Sequence, residues 1–476
     1  MGFTVLTSLV LASIIATVYY SGYNLDITSE RENEKIEEEN DLHPLFLTPL
    51  IESGNIDDAR RKSIVEYEGL RDVVSYSGFI TVNKEYNSNL FFWFFPAEMI
   101  SKTAPIVIWL QGGPGESSLL GLFSENGPFR LMKDQTLESR ENTWVGPLNM
   151  LYIDSPVGTG FSFTNHEDGY ADNQLSVGLY LYQALVQFFQ LFPEFQANDL
   201  YIAGESFGGK FAASLGYTIH ALNPTVLNNP MNLKGLAIFS GSLEAVDKAG
   251  GSTRAVQPPP SHIFRPYDLV NFKTISKFLK YERKMKDLVD KPKAMDLDDL
   301  FLMARETTKF IADLPPLFSD EKPEEPSETN DPEVLSQMME KDEIRQAIHA
   351  GNRTFVVNSD RVKELLKAEM TRPLENVFAI LLENYRVLIV NGELDMVASA
   401  IDIERSLMKL NWTGKDDLRR ATVTQWLVGG EVAGYVKRVG KLEAVKVQNS
   451  GGLLIKERPT WMLELITKFT GGESIV

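Results

Sequence analysis

The chain has 476 residues, of which 43% are hydrophobic and 24% charged, so it is neither a wholly disordered nor a fibrous protein. Asp and Glu number 65 against 47 Lys and Arg, and the net charge of −18 argues against nucleic-acid binding, which needs a basic face. The lack of cysteine excludes disulfides, thiolate metal sites and a cysteine nucleophile.

The N-terminus is the most apolar part of the chain. Residues 1–25 contain no charged side chain, and this run is long enough for a signal-peptide core and nearly long enough to span a bilayer. We predict a signal peptide over 1–22, with a signal-anchor as the alternative because neither Lys nor Arg precedes the apolar run. Residues 23–42 read as an acidic linker. Membrane contact is expected only if the N-terminal segment stays uncleaved.

Apolar runs with the composition of buried strands recur along the chain. They occupy 79–96, where two runs flank a turn, and then Ile106–Leu110, 150–153, 200–203, 236–239 and 386–390. Helical spacing appears between them at 174–192 and 210–222. Strands that alternate with helices predict an α/β fold with a parallel central sheet.

The composition changes between residues 241 and 332. This stretch holds a proline run at 258–260, charged amphipathic segments and a Pro/Glu-rich segment at 320–332. We predict a cap insertion over 241–332, part helical and part flexible. It would divide the core into a first part over 43–240 and a second part over 333–476.

The sequence GESFG at 204–208 matches the pattern G-x-S-x-G between a predicted strand and a predicted helix. In that context Ser206 sits on a sharp turn at the N-terminus of the helix, where backbone amides favour developing negative charge. A glycine-rich turn without catalytic meaning is the alternative for the bare motif. A second glycine turn, QGGPG at 111–115, follows Ile106–Leu110 and places Gly113 as an oxyanion donor beside the amide of Phe207.

Five motifs occur in a fixed order along the chain: WLQGGPG at 109–115, FSENGPF at 123–129, MLYIDSPVGTGFSF at 150–163, GESFGGK at 204–210 and NGELDMV at 391–397. Together they resemble the serine carboxypeptidase family, and segments near both ends look most like its vitellogenic carboxypeptidase-like branch. The resemblance implies an α/β-hydrolase fold with helices on both faces of a mostly parallel sheet. It also implies a Ser–Asp–His triad that releases C-terminal residues from peptides, usually at acid pH, without a cofactor or a metal.

The resemblance assigns roles to residues of this chain. Ser206 would be the nucleophile, Asp395 the acid that orients the histidine, and Gly113 and Phe207 the oxyanion donors. The pocket for the terminal carboxylate of a peptide would consist of Trp109, Gln111, Gly112, Glu125 and Glu205. Clustered carboxyls raise one another's pKa and share protons, so such a pocket binds a carboxylate when at least one glutamate is protonated.

The histidine of the triad is the group that this sequence lacks. The five histidines are His43, His166, His220, His262 and His349, and none of them follows Asp395. The resemblance places the histidine position at Gly452, with the downstream Pro459 keeping the register. Loss of that base in a Ser–His–Asp triad costs on the order of 10⁶ in turnover.

Three interpretations follow. The first is a catalytically impaired family member that binds peptide C-termini or a protein partner. The second is a working carboxypeptidase with a displaced base such as His166, whereas Lys210 is predicted to be an ordinary helix residue. His220 and His349 are predicted to lie on helices with structural roles. The third is a structural or storage protein on a hydrolase scaffold.

Two sequons for N-glycosylation help to predict the cellular location of the protein. Asn352-Arg-Thr and Asn411-Trp-Thr are acceptors for N-glycosylation, and both suit a chain that passes through the secretory pathway. With the apolar N-terminus, they predict an extracellular or lysosomal location.

Overall fold

The structure is a computed structural model that describes residues 42–70, 73–226, 230–241, 329, 331–370, 372–395, 398 and 400–476. The predicted signal peptide, nearly all of the predicted linker and most of the predicted cap lie outside these residues, as does His262. The domain boundaries therefore stay predictions. Within the described ranges, no helix combines the length and the apolar composition that crossing a bilayer requires.

A ten-stranded sheet forms the centre of the fold, and a separate two-stranded ribbon pairs β4 with β5. The strands are β1 (Tyr76–Asn83), β2 (Ser88–Phe95), β3 (Ile106–Leu110), β4 (Phe129–Leu131), β5 (Leu137–Ser139), β6 (Asn149–Ile153), β7 (Leu200–Glu205), β8 (Leu233–Phe239), β9 (Arg386–Gly392), β10 (Thr424–Val428), β11 (Glu431–Val439) and β12 (Leu442–Val447). The order across the large sheet is β1-β2-β6-β3-β7-β8-β9-β12-β11-β10. The six central strands are parallel, and two antiparallel strands extend the sheet at each end.

Helices connect the strands. They are α1 (Thr48–Glu52), α2 (Ile56–Lys62), α3 (Leu119–Gly121), α4 (Gln174–Leu191), α5 (Gly208–Val226), α6 (Pro332–Met339), α7 (Asp342–Ala347), α8 (Asp360–Leu365), α9 (Lys367–Met370), α10 (Glu375–Asn384), α11 (Ala400–Lys409), α12 (Lys415–Arg420), α13 (Leu454–Glu457) and α14 (Pro459–Thr470). Short 3₁₀ turns occur at Glu68–Leu70, Glu167–Gly169 and Pro193–Phe195, and a π-helical turn at Leu122–Asn126.

Two apolar clusters cover the two faces of the sheet. Along β3, Ile106 and Ile108 belong to one cluster, and Val107 and Trp109 belong to the other. A parallel strand buried on both faces needs an apolar residue at every position, and all five residues of β3 are buried. This burial explains why the central strands were recognisable as continuous apolar runs.

The predicted α/β fold is confirmed. Each predicted strand run coincides with strands of the structure, and β8, before the predicted cap, pairs in parallel with β9, after it. One element prediction is wrong: His349 does not lie on a helix but follows α7 with a φ of +63°. The helix ends there because this left-handed conformation cannot continue it.

The direction of the parallel strands positions the candidate site. Chain segments that leave the carboxyl ends of β3, β7, β9 and β12 meet at one edge of the sheet. Gln111, Ser206, Asp395 and Gly452 all come shortly after one of these four strands.

Candidate active site

Ser206 occupies a strained turn between β7 and α5. Its φ is +52°, in the left-handed region that residues with a Cβ rarely adopt. The Ser206 N–H donates to the carbonyl of Phe239 at 2.9 Å, which holds the turn against the end of β8. A Cβ on Gly208 would lie only 2.2 Å from the carbonyl oxygen of Leu110, so this turn requires glycine there. The predicted strand–turn–helix context of the serine is confirmed.

The glycine turn after β3 lies directly against this elbow. A Cβ on Gly112 would approach the Cβ of Ser206 to 2.9 Å and the amide nitrogen of Phe207 to 3.0 Å. Gly113 has a φ of +101°, which a side chain would disfavour. The structure therefore brings Gly112 and the Ser206–Phe207 peptide together, whereas the oxyanion role of Gly113 and Phe207 stays a prediction.

Two glutamates and a glutamine form a buried polar group beside the elbow. The side-chain amide of Gln111 donates to Glu205 Oε2 at 2.7 Å and to Glu125 Oε1 at 3.3 Å. The Trp109 indole N–H donates to Gln111 Oε1 at 2.8 Å and so fixes the orientation of the amide. Glu125 Oε2 and Glu205 Oε1 are both buried, and a proton on Glu205 lets the two carboxyls hydrogen-bond to each other. The two carboxyls of the predicted pocket therefore form one proton-sharing pair.

Burial controls the protonation of these two carboxyls. Removal from water raises the pKa of Glu125 to about 7, although the hydrogen bonds from Glu205 and Gln111 and the charge of Arg140 oppose the rise. Burial also raises the pKa of Glu205 well above its usual range, and the negative charge of Glu125 adds to that effect. Because the two groups titrate together, the pair holds at least one proton below neutral pH.

A third carboxyl, which the sequence analysis missed, lies in the glycine turn itself. The Glu116 N–H donates to the carbonyl of Gly112 at 3.2 Å, and Glu116 Cγ would lie 3.1 Å from a Cβ on Gly113. Burial raises the pKa of Glu116, and its negative charge raises the pKa of both Glu125 and Glu205. The signal in the sequence was a charged residue directly after the glycines of QGGPG.

Asp395 lies in the turn after β9 and is 3% exposed. Its Oδ1 accepts a hydrogen bond from the Ala398 N–H at 2.8 Å, which orients the carboxylate. A Cβ on Gly452 would lie 3.6 Å from Asp395 Oδ2, and the three atoms nearest to it all belong to the Asp395 carboxyl group. A side chain at position 452 would therefore face Asp395 at ordinary van der Waals distance.

His166, the predicted substitute base, lies on another part of the sheet edge. Its ring stacks on Tyr86 with the centroids 5.2 Å apart, and its Nδ1 accepts a hydrogen bond from the Asp168 N–H at 3.2 Å. The Thr164 hydroxyl donates to the carbonyl of Tyr86 and holds this loop on the turn between β1 and β2. Three strand spacings, roughly 14 Å, separate β2 from β7, which carries Ser206.

The remaining described histidines have other partners. A ring nitrogen of His220 lies 3.1 Å from the Tyr385 hydroxyl, on the helix behind the elbow. His349 Nδ1 lies 3.1 Å from the Ser77 hydroxyl, and burial lowers the pKa of His349 to about 4. His43 belongs to the N-terminal segment that passes Gly351.

Lys210 is an anchor for a distant segment. It lies on α5 and is 2% exposed, and its ammonium group donates to the carbonyls of Glu369, Met370 and Arg372 at 3.1 to 3.2 Å. Burial lowers the pKa of Lys210 to about 8. An ammonium group whose three protons are all engaged by carbonyls is a structural cation, as its helix position predicted.

A buried carboxylate also supports the 154–163 segment. Asp154 accepts hydrogen bonds from the Ser117 hydroxyl at 2.6 Å and from the Ser118 and Phe161 N–H groups at 3.0 Å. Burial raises the pKa of Asp154 to about 6. These bonds join the glycine-turn segment to the loop after β6.

The two predicted glycosylation sites lie at the surface. Asn352 and Asn411 are both exposed, so each is accessible to a glycosyltransferase. No group of three or more potential ligands for a metal ion occurs among the described residues.

Comparisons with known proteins agree with this architecture. The family model described as serine carboxypeptidase matches residues 67–472. The chain is 43% identical to a venom serine carboxypeptidase of Apis mellifera over 90% of this chain and 91% of that protein. It is 39% identical to a probable serine carboxypeptidase, CPVL, of Mus musculus over 90% of this chain and 89% of that protein. It is 36% identical to the vitellogenic carboxypeptidase of Aedes aegypti over 90% of both chains.

A solved structure shows the same fold. The prohormone-processing carboxypeptidase of Saccharomyces cerevisiae superposes with a TM-score of 0.66 at 20% identity, covering 87% of this chain and 96% of that chain. The fold, the matched residues and these relatives show that the chain belongs to the serine carboxypeptidase family.

Proposed function

We propose that this chain is a secretory-pathway member of the serine carboxypeptidase family that binds peptides by their free C-terminus and has lost efficient peptide turnover. The observation that carries the proposal is the contrast at one sheet edge. Gly452 faces Asp395 without a side chain, whereas Gln111, Glu125 and Glu205 form an intact hydrogen-bonded group.

The loss of turnover follows from proton transfer. A serine hydroxyl attacks a peptide only when a base takes its proton, and the leaving amine needs that proton back. Gly452 supplies no such group, and the sequence contains no histidine after His349. His166 does not compensate, because its loop is held on the β1–β2 turn. The remaining hydrogen-bond donors leave a reactivity on the order of 10⁶-fold below that of a complete triad.

The retention of binding follows from the buried glutamates. A peptide carboxylate repels two ionised glutamates but accepts a hydrogen bond from a protonated one. The Glu125–Glu205 pair is the group that would supply that bond. Because the raised pKa of Glu125 is about 7, the protonated form is present at neutral pH and dominates at acid pH. Affinity for a free C-terminus should therefore rise as the pH falls.

The proposed cellular location rests on features outside the candidate site. The apolar segment at residues 1–22 and the exposed sequons at Asn352 and Asn411 support passage through the secretory pathway. A relative 43% identical over most of the chain is named a venom protein, which also supports an extracellular or lysosomal destination.

Two assays test the proposal. Blocked dipeptides and longer peptides are offered at acid and neutral pH to the protein and to Ser206→Ala, and both should release products at the same background rate. In parallel, calorimetry compares a peptide acid with its amidated twin, and the acid should bind more tightly, most of all at acid pH. Turnover well above the Ser206→Ala background overturns the loss of activity. Equal affinity for the two peptides at both pH values overturns the binding role and favours the structural or storage interpretation.

A further inference from the structure

The backbone that carries Glu125 has an unusual form. Glu125 lies in the π-helical turn Leu122–Asn126, all of which is buried, and such turns are rare and often found at functional sites. The turn lies close to Gln111, since a Cβ on Gly121, the residue before the turn, would be 2.8 Å from Gln111 Oε1. The position of the Glu125 carboxyl beside the Gln111 amide therefore depends on how this turn is held.

Arg140, which directly follows β5, fastens the turn to the strand after it. Its guanidinium group donates to the carbonyl of Phe123, inside the turn, at 2.9 Å and to the carbonyl of Phe129, on β4, at 3.3 Å. The Arg140 N–H donates to the carbonyl of Pro128 at 2.8 Å. Because a guanidinium presents its donors in a rigid fork, one side chain fixes the turn and the strand relative to each other. Phe123 is two residues from Glu125, so this fork acts close to the carboxyl.

The positive charge of Arg140 also acts on the Glu125 carboxyl. Burial raises the pKa of Glu125, whereas hydrogen bonds from Glu205 and Gln111 and the charge of Arg140 lower it. Burial raises the pKa of Tyr152 on β6 as well, and the charge of Arg140 again opposes the rise. The Tyr152 hydroxyl donates to a side chain of the turn at 2.8 Å. Two titratable groups at the turn therefore respond to the same cation.

Other charged side chains lie on the segments around the turn: Glu116 in the glycine turn, Arg130 on β4, and Lys456 and Glu457 on α13. The negative charge of Glu116 raises the pKa of Glu125 and so opposes Arg140. Arg130 forms an ion pair with Glu138 at 2.9 Å, and its side chain is 43% exposed. A solvated pair of this kind has little influence on its surroundings, so Arg130 provides the matched control for Arg140.

We propose that Arg140 is a positioning residue that fastens the turn carrying Glu125 and, through its charge, sets the pH above which the site releases a free C-terminus. The inference deepens the proposed function and rests on it, because Arg140 acts through Glu125 on the bound carboxylate. Without this cation, the Glu125–Glu205 pair would keep its proton to higher pH and hold the peptide there. With it, the site binds C-termini in acidic surroundings and releases them near neutral pH.

The first experiment measures by calorimetry how the affinity for a peptide acid depends on pH, with the amidated twin as the reference. Arg140→Gln keeps an N–H donor for the Phe123 carbonyl but removes the charge. The pH midpoint of binding should move up by roughly half a unit to one unit, because an ionised Glu125 loses its nearby cation. At pH 8 the affinity should then be roughly three- to ten-fold higher than that of the unmodified chain. Arg130→Gln should leave the midpoint unchanged. An unchanged or lowered midpoint in Arg140→Gln overturns the inference.

Arg140→Lys separates the fastening of the turn from the effect of the charge. Lysine keeps the positive charge but lacks the planar fork that bonds two carbonyls at once. The midpoint should stay near that of the unmodified chain, whereas the affinity at acid pH should fall roughly three-fold or more, as expected for a lost hydrogen bond in the support of the site. Equal affinity of the folded Arg140→Lys variant and the unmodified chain at acid pH overturns the fastening role, even where Arg140→Gln does not fold.

Failure of this inference can be distinguished from failure of the proposed function. If peptide acid and amide bind the unmodified chain equally at acid and neutral pH, the proposed function fails together with the release of C-termini. The effect of the cation is then read from an NMR titration of the Glu125 carboxyl carbon, assigned with Glu125→Gln, and an unchanged pKa of Glu125 in Arg140→Gln overturns that effect too. If binding by the unmodified chain depends on pH but Arg140→Gln has the same profile, the inference fails and the proposed function stands.

Discussion

The two sides of the candidate site differ in the functional side chains that the chain supplies. At the ends of β3 and β7, the backbone is crowded and strained, and a buried amide joins two glutamates. At the ends of β9 and β12, Asp395 is equally buried, but its neighbour Gly452 contributes no side chain. Strain and buried carboxyls lower stability, whereas the glycine that faces Asp395 carries neither cost. The comparison predicts that peptide binding is retained whereas peptide turnover is not.

The largest effect should come from completing the β9–β12 side. Gly452→His should accelerate fluorophosphonate labelling of Ser206 by about 10³-fold, within the range that a positioned base contributes. Apart from its chain neighbours, no atom of the described residues lies closer than 3.6 Å to the new Cβ, so these residues need not move to admit it. Gly452→Ala is the matched control and should stay at the background rate. Slow labelling of a folded Gly452→His protein would show that the turn directs its side chain away from Ser206.

A substitution on the crowded side should cost stability. Gly208→Ala places a Cβ 2.2 Å from the Leu110 carbonyl oxygen and should lower the free energy of unfolding by about 3 kcal/mol. Gly146→Ala is the control, because the nearest atom to its Cβ lies 3.8 Å away. Denaturant unfolding of both variants measures the difference. Similar midpoints would mean that the elbow relaxes at little cost.

The glutamate pair should determine how binding depends on pH. In the unmodified chain, affinity for a peptide acid should fall about ten-fold as the pH rises through 7, the raised pKa of Glu125, because ionised glutamates repel the carboxylate. Glu125→Gln should flatten that dependence, since an amide does not ionise and donates at every pH. Calorimetry with the amidated peptide corrects for changes outside the pocket. An unchanged pH profile in Glu125→Gln would place the titrating group elsewhere.

The smallest effect should come from Glu116. Its negative charge raises the pKa of Glu125 and Glu205, so Glu116→Gln should lower both pKa values and move the pH midpoint of binding down by a few tenths of a unit. The exposed Glu98 provides the control, and Glu98→Gln should leave the midpoint unchanged. An upward movement of the midpoint in Glu116→Gln would contradict the assigned direction.

The parts of this molecule that could be predicted from sequence are those with a local signal. The parallel strands are short apolar runs, and the serine turn has a five-residue pattern. The antiparallel strand β10 has three exposed residues among five, so its apolar pattern is weak and the sequence analysis did not identify it. Its neighbour β11 buries only four of its nine residues, so its apolar pattern is weak as well.

Contacts between residues that lie far apart in the chain leave no local pattern in the sequence. The carbonyl partners of Lys210 lie 159 to 162 residues away, and Gly452 meets Asp395 only because β12 pairs with β9. Glu116 likewise forms an isolated β-bridge with Asn358, which is far from it in the chain. The resemblance supplied the position of Gly452, whereas only the structure shows which side chain it faces.

The buried acids also make the stability of the fold dependent on pH. Asp154 and Glu125 have folded-state pKa values of about 6 and 7, above the usual values of 3.8 and 4.5. The folded state therefore holds protons that the unfolded chain releases at lower pH. Each group contributes most to the stability of the fold below pH 4 to 5. The free energy of unfolding then falls by roughly 3 kcal/mol as the pH rises through the folded-state pKa of that group. The buried His349 acts in the opposite direction, because its pKa falls from 6.5 to about 4 and it therefore removes a similar amount of stability as the pH falls through that range.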